Sequence, residues 1–169
     1  FNSQVKIFKD KFFAIDFENV LRCYSIKDGE EIWNFKSEKS FINSQQKLSF
    51  IINDNKLVFI NTLVVADNVS KYYAIDINSG ELLWTKNNSS PFNSQVKIFK
   101  DKFFVIDFEN VLRCFSLKDG KEIWKVKTEK SFIKSQKKLS LIIINDVVYF
   151  NNSIGDISAI NINNGNLIW

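Results

Sequence analysis

The residues of this chain that could do chemistry come in matched pairs. Asp16 and Asp107 each sit in the phrase Ile-Asp-Phe-Glu-Asn, which also carries Glu18 and Glu109. Arg22 and Arg113 follow at one common spacing, and Cys23 and Cys114 come directly after them. An Asp and a Glu held close together could serve as general acid and general base. The other reading of the repeated phrase is turn chemistry, in which Asp and Asn accept hydrogen bonds from nearby backbone N–H groups. The chain has no histidine. A nucleophile–base pair would therefore need lysine or a carboxylate. The common zinc and haem ligand sets also lack their usual member, unless another chain supplies it. No glycine-rich phosphate loop occurs. The residues predict no enzyme, no bound cofactor and no metal. Cys23 and Cys114 hold one position in two copies, too far apart for the separation a disulfide tolerates, and read as small buried thiols.

The pairs exist because the chain contains itself twice. Residues 1–52 recur at 92–143 without a gap and with ten substitutions. A shorter repeat lies inside the longer one. Lys-Asp-Gly-Glu-Glu-Ile-Trp at 27–33 returns as Asn-Ser-Gly-Glu-Leu-Leu-Trp at 78–84, Lys-Asp-Gly-Lys-Glu-Ile-Trp at 118–124 and Asn-Asn-Gly-Asn-Leu-Ile-Trp at 163–169. All four tryptophans of the chain, Trp33, Trp84, Trp124 and Trp169, close these phrases. A period of this length marks a modular array. The units are expected at about 1–45, 46–91, 92–136 and 137–169, with Pro91 at the junction of the long copies.

Each unit reads as four short strands. In the second, 47–53, 56–62, 71–77 and 81–86 are runs rich in Ile, Val, Leu and Tyr, separated by Asn, Asp, Ser and Gly. No segment holds a 3.6-residue period, so no helix is expected. Gly29, Gly80, Gly120 and Gly165 are each third in a hairpin loop, where a left-handed residue is needed and a Cβ is a penalty. Leu63–Ser70 is extra sequence relative to the fourth unit and is expected as a loop between second and third strands. Its Leu63, Val64 and Val65 are the first candidates for an exposed contact with a partner. The predicted fold is all-β, a propeller of four-stranded antiparallel blades, four in this chain and extendable to an eight-bladed ring. One blade cannot bury both faces, so neighbours must stack. Phe12, Phe13 and Phe17, with Phe103, Phe104 and Phe108, are expected between the sheets.

Composition narrows the partners. Lysine and arginine total 23 against 19 acidic residues, a net charge of +4. The basic residues are dispersed rather than gathered in a stripe with exposed aromatics, so no nucleic acid is expected. No apolar run reaches the length of a membrane span. There is no methionine, and the chain is expected to be a processed or partial piece of something longer.

The phrase Ala-x-Asp-x-x-x-Gly-x-x-x-Trp is complete at Ala74, Asp76, Gly80 and Trp84, and appears as Ala159, Asn161, Gly165 and Trp169. The other two units have Cys23, Ser25, Gly29, Trp33 and Cys114, Ser116, Gly120, Trp124. This resembles the pyrroloquinoline-quinone-type propeller repeat, the tryptophan-docking motif, and is most like the BamB class of outer-membrane-protein assembly factors. The resemblance implies that Trp33, Trp84, Trp124 and Trp169 dock on neighbouring blades, with the small residue and Gly29, Gly80, Gly120 and Gly165 making room. Loss of the carboxylate at three of the four Asp positions argues against a shared anion or metal role there.

Two functional classes share the repeat. One is the periplasmic quinoprotein dehydrogenases, with quinone and calcium at the propeller centre. The other is non-catalytic scaffolds. The vicinal Cys-Cys pair of the dehydrogenases is absent. The resemblance therefore implies a scaffold for protein–protein interaction in outer-membrane protein assembly, binding the assembly machinery. It implies a periplasmic location, with outer-membrane association through a lipidated amino terminus. A dehydrogenase fragment and a sensor or carbohydrate-binding propeller are the alternatives. For closure, the chain is part of a longer polypeptide, self-associates to complete a ring, or closes with four blades; the first is the expectation.

Overall fold

A computed structural model describes residues 5–16, 18, 20–36, 49–52, 62–66, 70–128 and 139–169, the segments 49–52 and 62–66 by backbone alone. The chain divides into two compact units, Phe1–Asn87 and Asn88–Trp169. The described residues form fifteen strands and no helix, so no helix is long and apolar enough to cross a membrane.

The first unit holds two antiparallel meanders. β1 (Lys6–Phe8), β2 (Lys11–Ile15), β3 (Val20–Ser25) and β4 (Glu31–Lys36) pair in chain order, as do β5 (Ser49–Ile52), β6 (Thr62–Ala66), β7 (Lys71–Asp76) and β8 (Leu82–Asn87). In the second unit, β9 (Lys97–Phe99), β10 (Lys102–Ile106), β11 (Leu112–Ser116) and β12 (Glu122–Val126) form one sheet. β13 (Leu141–Ile144), β14 (Val147–Asn151) and β15 (Ile157–Asn161) form the last, with Leu167 bridged to Ile160 where a fourth strand would run.

Local sequence explains the turns. The first hairpin of the last sheet turns on Asn145-Asp146, both with positive φ (47° and 63°), as a two-residue loop matching the strand twist requires. The glycine turns are one residue longer than expected. Gly29 N donates to Ser25 O at 3.0 Å and Ser25 N to Glu30 O at 2.9 Å, enclosing Ile26–Gly29. The extra residue is tied inward, since Ile26 N donates to Asp10 O in the neighbouring hairpin turn, as Leu117 N does to Asp101 O and Ile162 N to Asp146 O.

Each unit has one core between its two sheets. In the first, Phe13, Ile15, Leu21, Cys23 and Trp33 meet Tyr73, Ile75 and Ile77. In the second, Phe104, Ile106, Leu112 and Cys114 meet Leu141, Val148, Phe150, Ile160 and Ile162. Alternation along each strand decides which side chains enter. Phe13, Phe103 and Phe104 are buried, Phe12 and Phe108 half-buried, and Phe17 lies outside the described residues. The stretch before β9 laces the second unit together. Asn93 N donates to Ile106 O and Leu139 N to Asn93 O, both at 2.7 Å, and Ser94 Oγ accepts from Ile106 N at 2.8 Å.

The second sheet corrects the sequence reading. Leu63, Val64 and Val65 are not a loop. They lie within β6 and pair on one side with Ile52, Ile51 and Phe50 and on the other with Ile75, Ala74 and Tyr73. Register runs from the tryptophan end: Val64–Ala74–Trp84 is the same ladder as Phe13–Cys23–Trp33 and Phe104–Cys114–Trp124. Of the expected second strand, 56–62, residues 56–61 lie outside the described residues and Thr62 is the first residue of β6. The extra length of this unit therefore falls between β5 and β6, at 53–61, outside the described residues, where β13 and β14 need only Asn145-Asp146. A strand paired on both edges has no backbone donors to offer a partner. Proline at a doubly paired position removes a ladder bond. Val64→Pro should lower stability by about 3 kcal/mol or more, read from the urea midpoint. A midpoint unchanged from the parent would return Val64 to a loop.

Candidate functional site

The positions that repeat most faithfully build a seat for an indole. Trp33 on β4 stands opposite Cys23 on β3, next to a register shift between Cys23 and Tyr24. A small cross-strand neighbour leaves the ring free to lie over the adjoining sheet. Its Nε1 donates to Ile77 O at 3.2 Å, in the turn between β7 and β8. A Cβ added to Gly80 would lie 2.8 Å from the ring. Gly80 also has φ +77°, so glycine is required there both for space and for the left-handed backbone. The turn is held by Asp76, whose Oδ1 accepts from Asn78 N and Ser79 N, both at 2.9 Å, while its carbonyl accepts from Gly80 N. Phe13 supports the ring at 5.8 Å between centroids, and Trp33 is 9% exposed.

The second unit repeats this construction. Trp124 Nε1 donates to Ile162 O at 3.1 Å, and a Cβ on Gly165 would meet the indole at 2.8 Å. Phe104 lies 5.8 Å from the ring. Asn161 Oδ1 takes the place of the Asp76 carboxylate, accepting from Asn163 N at 3.0 Å. Ser25 Oγ and Ser116 Oγ accept likewise from Lys27 N and Lys118 N. The position needs an acceptor and not a charge, which is why Asp, Asn and Ser interchange there.

The remaining motif residues sit differently. Trp84 is half-buried with its ring edge-on to Tyr72 at 5.8 Å. Trp169 is 62% exposed and tilted against Tyr149. Gly29 has no heavy atom within 4 Å of where a Cβ would stand. Gly120 has φ +69° and donates from its N–H to Ser116 O.

The paired acids and arginines form two triads that the sequence reading did not assemble. Arg22 Nε donates to Asp16 Oδ2 at 2.9 Å and Nη1 to Glu31 Oε2 at 2.7 Å. Arg113 binds Asp107 and Glu122 the same way, and its Nη2 donates to Ser89 Oγ at 3.0 Å. The signal was an Asp, an Arg six residues on and a Glu nine further, present in both long copies. Asp16 also accepts from Glu18 N and Val20 N, and Asp107 from Glu109 N and Val111 N. Each Asp therefore anchors its own turn and one arginine. Burial opposes the charge on Asp16, but the bonds from Val20 N, Arg22 and Glu18 N outweigh it and hold the carboxyl below its ordinary value. Asn34 and Arg22 do the same for Glu31. Burial also opposes the charge on Arg113, and Asp107 and Glu122 overcome it.

Cys23 and Cys114 are buried beneath the indoles, and burial pushes their thiols up to about 11 and about 12. At neutral pH neither is a thiolate nucleophile. Among the described residues, no three or more Cys, Asp or Glu side chains are grouped to hold a metal ion.

The family model described as outer membrane protein assembly factor BamB matches residues 16–169. The chain belongs to the BamB family. Among solved structures, BamB from Moraxella catarrhalis superposes with a TM-score of 0.76 at 18% identity, over 99% of this chain and 48% of that one. The computationally designed Ika8 protein gives 0.74 at 11% identity, over 98% and 47%. The designed Ika4 protein gives 0.70 at 11%, over 95% and 92%. At these identities the likeness is one of fold, and the fold is the BamB-like β-propeller. The chain spans about half the length of the BamB structure it matches. A search of curated proteins finds no sequence match.

Asp16 and Glu31 are depressed in the folded chain. Such groups stabilise the fold above their unfolded pKa, and the stabilisation is lost as pH falls through the folded value. The loss belongs below about pH 4. In thermal melts from pH 7 down to pH 3, the Asp16→Asn/Glu31→Gln variant should start lower at pH 7 and fall less on acidification. An acid-induced drop equal to that of the parent would remove the triad from the account.

Proposed function

We propose that this chain is a non-catalytic propeller scaffold that binds protein partners in outer-membrane protein assembly, working in the periplasm. The carrying observation is membership of the BamB family over residues 16–169. The geometry supports a scaffold: Asp16, Asp107, Arg22, Arg113, Glu31 and Glu122 all hold turns or bridge strands. The buried thiols are not activated, and the Trp33 and Trp124 phrases are built as joints between sheets rather than as a cleft for a small molecule.

The test is direct binding of the purified chain to the purified outer-membrane-protein assembly machinery, by biolayer interferometry in a buffer of physiological salt. Saturable binding with a dissociation constant of about 10 μM or tighter is the expected result. Absence of binding at ten times that concentration overturns the scaffold reading for assembly. Reduction of an artificial dye that needs both pyrroloquinoline quinone and calcium overturns the non-catalytic reading.

A further inference from the structure

The four glycine turns share one local bond. The residue before each glycine accepts, through its side-chain oxygen, from the backbone N–H two positions on. Asp28 accepts from Glu30 N and Asp119 from Lys121 N at 3.2 Å, Ser79 from Glu81 N at 3.3 Å and Asn164 from Asn166 N at 3.0 Å. Only the last of these residues is an amide. Asn164-Gly165 is the single Asn-Gly step of the chain, and Asn164 is exposed. A carboxamide followed by glycine can cyclise, because no Cβ hinders the glycine nitrogen on its way to the side-chain carbon.

The turn supplies one half of that reaction and withholds the other. The Asn166 N–H on Asn164 Oδ1 draws charge from the amide carbon and faces the oxyanion that an attack there would form. The attacking atom is occupied. Gly165 N donates to Asn161 O at 2.9 Å. The indole of Trp124 pins the same turn, leaving no room for a Cβ on Gly165 and bonding Ile162 O. The bond to Oδ1 spans two residues and needs nothing outside the turn, whereas the grip on Gly165 comes from the neighbouring sheet.

We propose that Asn164 is a self-modification site held in check by the Trp124 joint. When the joint opens, Gly165 N bonds to Asn164 Cγ and the Cγ–N bond of the amide breaks. The amide nitrogen leaves as ammonia, with the proton that Gly165 gives up. Water then opens the succinimide ring at one carbonyl to give aspartate, or at the other to give isoaspartate. Aspartate is what Asp28 and Asp119 already are in the same turn, so it keeps the bond and the seat. Isoaspartate carries the main chain through its side chain. It adds a carbon to the backbone beside Gly165, where the indole leaves no room, and the joint cannot close again. Asp28 and Asp119 do not follow the same course. Bonds from Ser25 and Glu30 N, and from Lys121 N and Ser116, hold their carboxyls below the ordinary value, and an ionised carboxylate has no leaving group.

Ageing of the full chain at mildly alkaline pH tests this, with mass spectrometry of the digested peptide that holds Asn164 and enzymatic methylation to count isoaspartate. The native chain should lose the amide about tenfold or more slowly than the same chain in urea, and Trp124→Ala should speed the loss by about tenfold or more, as deletion of a buried indole raises the open population. Trp33→Ala, which empties the seat in the other compact unit, should leave the rate at Asn164 as in the parent. If circular dichroism shows Trp124→Ala unfolded, Phe104→Leu loosens the same indole and should speed the loss in the same direction. Asn164→Asp should keep the urea midpoint of the parent, and the isoaspartyl form should lower it. Equal rates in the native and urea-unfolded chain, or equal acceleration by Trp33→Ala and by the Trp124 or Phe104 variant, overturns the proposal. So does an isoaspartyl form as stable as Asn164→Asp.

Discussion

The contact between an indole and a glycine turn is the constraint around which this molecule is arranged. At Gly80 and at Gly165 there is no room for one more carbon atom: a Cβ would stand 2.8 Å from Trp33 or Trp124. That closeness accounts for the residues around it. The turn needs a left-handed residue, and only glycine meets both demands. The strand beside the tryptophan needs a small residue, which is Cys23 or Cys114 where the indole is docked. A bulge at that point swings the strand into the turn. The indole nitrogen needs an acceptor, and the turn's own carbonyl, Ile77 or Ile162, supplies it. A buried aromatic that also closes its hydrogen bond can join two sheets without a polar penalty.

The polar residues serve the same assembly. Each arginine ties the turn between second and third strands to the outer strand, through Asp16 and Glu31 in one sheet and Asp107 and Glu122 in the other. Asp107 is wholly buried, and an ion there is tolerated because Arg113 and two backbone N–H groups satisfy it. Ser94 and Asn93 carry the backbone from one sheet of the second unit to the next. Asp16, Asp107, Arg22 and Arg113 are among the groups that looked, in the sequence alone, most able to do chemistry.

Much of the fold was legible because the repeat is so regular. Strand type, the four strands of three of the sheets and the place of the glycine turns followed from alternation and from four phrases ending in tryptophan, whereas the extra residue in those turns and the bridge that stands for a fourth strand in the last sheet did not. The position of the inserted residues did not follow. Both 56–62 and 62–66 are β-branched apolar runs, and composition cannot choose between them. Register chooses, because Val64 is the residue that falls opposite Ala74 and so in line with Trp84. The triads were also missed. Their members are six and nine residues apart and meet only once three strands are laid side by side, a relation no local period displays.

A double-mutant cycle at Trp33 and Gly80, read by urea unfolding, tests the central claim most directly. Gly80→Ala in the parent should cost about 1 kcal/mol for the left-handed backbone and a further 1–3 kcal/mol for the clash with the indole. In a Trp33→Ala background the clash has no partner, and only the backbone cost should remain. The account predicts a coupling of about 1–3 kcal/mol between the two sites. Losses that add to within about 0.5 kcal/mol would contradict it, and would mean that the sheets are joined by general apolar contact and not by the seat.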